Sequence, residues 1–125
     1  MKILLSFFLF VGIFASCEQL ANEAEVTRAQ LDQQLDEINS FIASANCSTG
    51  DECHFIAYGS KACGGPQGYL LYSTGIDEEK LKSMVARYTA AEDEYNKANG
   101  ITSDCSIPNP PSKMGCEDGK CIKTE

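Results

Sequence analysis

Seven cysteines in a chain of 125 residues constrain what it can fold into more than any other feature. Six of them, Cys47, Cys53, Cys63, Cys105, Cys116 and Cys121, lie in the C-terminal part of the chain. An even number of cysteines in a small exported chain reads as a disulfide framework formed in an oxidising compartment. Three disulfides are therefore expected, and six cysteines allow fifteen connectivities that sequence does not decide. The seventh, Cys17, stands apart at the end of a different kind of segment.

That segment has the build of an export signal. Lys2 supplies one positive charge, and Ile3 to Ala15 is an apolar run broken only by Ser6 and Gly12. The run is too short to span a bilayer core of ~30 Å and suits the apolar region of a signal peptide. Phe14-Ala15-Ser16-Cys17 resembles the lipobox of bacterial lipoproteins, with Phe14 where Leu, Val or Ile is usual. The resemblance implies acylation of the Cys17 sulfur, cleavage before it and acylation of the new amino group. It also accounts for the odd cysteine count. In that family Asp after the acylated cysteine favours the inner membrane, so Glu18 points to the outer one. Residues 1–16 are then the signal, 17–30 a lipid-tethered spacer and 31–125 one small domain, too short to divide into two cores.

Without Lys2 the chain keeps nine basic against eighteen acidic residues. Such a balance repels nucleic acid and anionic headgroups, so nucleic acid is not an expected partner and the membrane is reached through lipid. Each buried CH₂ contributes ~0.8 kcal/mol, and several acyl chains anchor where one does not.

Between Glu18 and Ala45 there is no Pro or Gly, and Leu31, Leu35, Ile38 and Ile42 recur at helical spacing. Leu20 and Val26 are the only large apolar residues from Glu18 to Arg28, which reads as a solvated, partly helical spacer. Cys53 to Tyr58 and Tyr69 to Ser73 have strand composition, separated by a loop holding Gly64-Gly65-Pro66. Asp77 is placed to cap a second helix, whose stripe of Leu81, Met84, Val85, Tyr88, Ala91 and Tyr95 should bury against Phe55 and Leu71. Glu92, Asp93 and Glu94 fall on its expected polar side, and Asn99-Gly100 ends it. Pro108, Pro110 and Pro111 keep the tail extended. Cys116 to Cys121 reads as a hairpin turning on Asp118-Gly119, with Glu117 opposite Lys120. That register favours a local Cys116–Cys121 disulfide, with Cys121 to Cys53 as the rival.

No constellation reaches a recognisable chemistry. His54 is the single histidine, and its spacing to Cys47, Cys53 and Cys63 matches none of the usual zinc patterns. The stretch from Gly59 to Pro66 lacks the Lys-Ser/Thr ending and following helix of a phosphate loop. A Cys-x-x-Cys pair and an Asp-rich calcium loop are both missing, and no carboxylate pair stands out. Neither a metal nor a cofactor is expected. One loop is suggestive, because Lys61 and Ala62 precede Cys63 and a disulfide there would hold a basic residue on a rigid exposed turn. Small secreted protease inhibitors bind through such pre-organised loops.

The expected architecture is α+β: an N-terminal helical spacer, a small antiparallel sheet packed on one long helix, and a disulfide-stapled tail. The expected function is a non-enzymatic, membrane-tethered envelope protein that binds another protein or a small ligand. A protease inhibitor acting through Lys61 is the alternative, and a small enzyme the third.

Overall fold

A computed structural model describes residues 25–125. The signal segment, Cys17 and the first part of the spacer lie outside these residues. Among the described residues the fold is α+β, with two α-helices and two separate two-stranded antiparallel sheets.

Helix α1 spans Arg28–Ile42. Thr27 caps it in a reciprocal box: its Oγ1 accepts from Gln30 N–H at 3.2 Å, and Gln30 Oε1 accepts from Thr27 N–H at 2.8 Å. Val26 and Leu31 occupy the staple positions on either side of this cap, and both pack into the core. The chain thus docks from Val26, slightly ahead of the Leu31 expected. Leu31 and Ile38 are buried, while Leu35 and Ile42 pack alongside them.

Strand β1 (Cys53–Tyr58) pairs antiparallel with β2 (Gly68–Ser73), with Cys53 opposite Ser73 and Tyr58 opposite Gly68. Ile56, Tyr58, Leu70 and Tyr72 face the helices and join their core. Because successive side chains alternate, Phe55 and Leu71 fall on the other face. This corrects the expected packing of Phe55 and Leu71 on the second helix. Phe55 is 38% exposed and sets its ring edge-on to Tyr69, with centroids 5.5 Å apart.

Helix α2 spans Glu78–Ala98, and Asp77 Oδ1 accepts from Lys80 N–H at 3.0 Å. Glu78 and Glu79 lie at its positive end, as its dipole favours. At the far end Ile101 N–H donates to Asn96 C=O, and Gly100 takes the left-handed conformation (φ 59°) that closes this turn. Leu81, Val85 and Tyr88 are buried as expected, but so are Glu92 and Asn96. Glu92 is only 4% exposed, against its expected polar placement.

The extended tail leads to a hairpin of β3 (Met114–Glu117) and β4 (Lys120–Lys123), with Glu117 opposite Lys120 and Cys116 opposite Cys121. Asp118 and Gly119 have φ of 49° and 76°, the two positive values of a type I′ turn. The expected local disulfide does not form. Cys116 bonds Cys47 and Cys121 bonds Cys53, because the hairpin seats against the Cys53–Ser73 end of the first sheet. Cys47 N–H donates to Gly119 C=O at 3.0 Å and fixes that seat. The third disulfide joins Cys63 to Cys105. Among the described residues no helix is long and apolar enough to cross a membrane.

Candidate functional site

The segment 59–67 between β1 and β2 carries the most elaborate set of polar contacts in the molecule. Its beginning is held by the second half of α2. Gly59 N–H donates to Thr89 Oγ1 at 3.0 Å, and Ser60 N–H donates to Glu92 Oε2 at 2.7 Å. Asn96 Nδ2 donates to Ser60 C=O at 2.7 Å. Gly59 has φ 77°, and a Cβ there would lie 2.5 Å from Glu92 Oε2, so only glycine lets strand and carboxylate approach this closely. Tyr88 OH donates to the other Glu92 oxygen at 3.3 Å. Burial, then the Glu92 charge, push the Tyr88 phenol up to about 12.

The turn itself closes through Lys61 N–H to Gly65 C=O and Gly64 N–H to Lys61 C=O. Lys61 does not stand out from it. Its ammonium reaches Asp104 Oδ1 at 3.0 Å, Ser106 C=O at 2.6 Å and Ser106 Oγ at 2.9 Å. Those three acceptors use all three of its donors. Its side chain is 12% exposed, so the expected basic side chain presented to solvent is corrected to an internal tie. The Lys61 contact, then the Ser106 hydroxyl, hold the Asp104 carboxyl down to about 2. The Cys63–Cys105 disulfide joins the same two segments covalently. Ala62, Gly64 and Gly65 form an exposed tip on this fixed base. Such a tip needs little further ordering when a partner binds.

The inhibitory use of Lys61 requires its ammonium to enter a partner's pocket. Here it would have to leave three acceptors first, so the geometry weighs against that alternative. Glu92 and Asn96 were missed as parts of this site. Their signal was the helical stripe itself, since positions 81, 85, 88, 92 and 96 continue one face of α2.

His54 lies apart from this loop, half exposed, with Nδ1 3.7 Å from Glu78 Oε1 and its ring edge-on to Tyr72. The sulfurs of Cys47, Cys53 and Cys121 lie within 4.8 Å of one another. All three are disulfide-bonded, and a metal ligand must be a thiolate.

No family model, curated protein or solved structure matches the chain.

Proposed function

We propose that the chain is a lipid-anchored protein of the bacterial envelope, tethered through Cys17 and presenting a non-enzymatic binding domain. The observation that carries this reading is the cysteine pairing. The three disulfides consume all six cysteines after Cys17, so Cys17 has no cysteine left to pair with in its own chain. An exported protein with one thiol left over calls for another use of it, and acylation is the use that Ala15-Ser16-Cys17 supports. The sequence context of Glu18 favours the outer membrane. Binding rather than catalysis is supported by the contacts of the 59–67 loop. Its bonds to Glu92, Asn96, Asp104 and Ser106 hold up an exposed tip that needs little further ordering when a partner binds.

Metabolic labelling with a radioactive fatty acid tests the anchor. The wild-type chain takes up label and sediments with membranes, and Cys17→Ala loses both. A Cys17→Ala protein that stays tightly membrane-bound overturns the reading.

A further inference from the structure

Among the described residues strand β1 has a partner on one edge only. Two bonds at its ends fix which main-chain groups use that edge. Thr74 N–H donates to Glu52 C=O, and Gln67 N–H to Tyr58 C=O, so the even-numbered residues turn toward β2. The odd-numbered ones then point outward, as antiparallel pairing requires. Internal bonds close this outward row at both extremes: Cys53 N–H donates to Gly50 C=O, and Gly59 N–H to Thr89 Oγ1. Between them, Phe55 and Ala57 hold two N–H and two C=O groups that bond nothing else among the described residues.

Alongside this row lies an open groove of about 520 Å³, walled by Ile56 and Val85 and by the small, exposed Ala86 and Ala90 of α2. Carboxylates gather near both ends of the strand, most densely at its start. Asp51 and Glu52 precede β1, and Glu78 stands near His54 at the strand's start. Asp93 lies 3.4 Å from Ser60 beyond its end. Lys82, which lines the groove, is paired with Glu79 at 2.8 Å, and Lys97 pairs with Asp93 at 2.5 Å. The excess of negative charge therefore lies at the strand's start, with Asp51, Glu52 and Glu78.

We infer that the β1 edge accepts an extended, cationic segment of a partner protein as an added strand. Main-chain bonds to Phe55 and Ala57 hold it, and small apolar side chains from every second residue fill the groove over Ala86 and Ala90. The closed ends limit the added strand to roughly five residues, at ~3.3 Å each. Charge selects this occupant over a second copy of the chain. The formal charge is −8, which a second copy would bring to the edge again and a cationic segment would offset. The inference deepens the reading of the domain as a binding module but is independent of the anchor, since acylation and strand addition are lost by different substitutions.

The full chain, titrated with a synthetic heptapeptide of alternating Lys and Val, supplies the test through hydrogen exchange of its amides. Slowed exchange is expected at Phe55 and Ala57, with β2 unchanged. Ala57→Pro removes one outward donor at an edge position where proline is tolerated, and should weaken binding about tenfold. Ala90→Trp fills the groove from an exposed helical position, so it should weaken binding without disturbing the fold. A Glu/Val heptapeptide should bind more weakly than the Lys/Val one. The inference is overturned if both amides stay unprotected at millimolar Lys/Val peptide, if Ala90→Trp binds as the wild type does, or if the Glu/Val peptide binds equally. Self-association that Ala57→Pro abolishes would assign the edge to a second copy and overturn it as well.

Discussion

A carboxylate removed from water needs hydrogen-bond donors around it, and Glu92 has two, the Ser60 amide and the Tyr88 hydroxyl. Truncating it leaves both donors without an acceptor inside the protein. Glu92→Ala is expected to destabilise the fold by about 1–3 kcal/mol, the penalty for buried unsatisfied groups. Glu94→Ala, two residues on and exposed, should stay within about 0.5 kcal/mol. Urea unfolding of the two variants against the wild type measures the difference, and equal effects would place Glu92 on the surface. Lys61 too finds its partners within the chain, at Asp104 and Ser106, although the Asp104 side chain is largely exposed. Neither role follows from residue type. A glutamate on a helix and a lysine in a glycine-rich loop are exposed far more often than they are enclosed. Glu92 is enclosed by the approach of α2 to the loop, a contact between residues about thirty positions apart. Lys61 is tied by the tail at Asp104 and Ser106, more than forty positions away.

The elements were legible where local signals agreed. Asp77, the 81–85–88 stripe and Asn99-Gly100 mark α2 at start, face and finish, and the Asp118-Gly119 turn sets the hairpin register. The face of β1 was not legible. Cys-His-Phe-Ile-Ala-Tyr has apolar residues on both faces, and a continuous apolar run in β2 gives no phase, so Ile56 and Tyr58 take the core in place of Phe55. Leu81→Ala should therefore cost about 2–5 kcal/mol, whereas Phe55→Ala should cost less than about 1 kcal/mol. Thermal or urea melts read both values, and a Phe55→Ala loss as large as that of Leu81→Ala would put Phe55 back in the core. The disulfide partners escaped sequence reading for a related reason. Local spacing brings Cys116 beside Cys121, but only the packing of the hairpin on the first sheet brings Cys47 and Cys53 within bonding reach.

At the scale of the molecule, two disulfides with sequence separations of 69 and 68 tie the segment after α1 to the terminal hairpin, and a third ties the β1–β2 loop to the tail. Each closes a long loop, for which the chain-entropy account gives roughly 4 kcal/mol of stabilisation. Helix α1 lies outside all of these loops, and among the described residues its cap, its packing and the Lys80 ammonium over the Phe41 ring hold it. The pairings share one further property: every bridge joins a residue at or before 63 to one at or after 105. A single peptide-bond cut anywhere between those positions, including the exposed Gly64-Gly65 turn, therefore divides the backbone without dividing the molecule. A clipped sample should migrate as one species on a non-reducing gel and as two once reduced. On the envelope reading proposed above, a first proteolytic hit in the middle of the chain then sheds nothing, and both pieces stay joined by three covalent links.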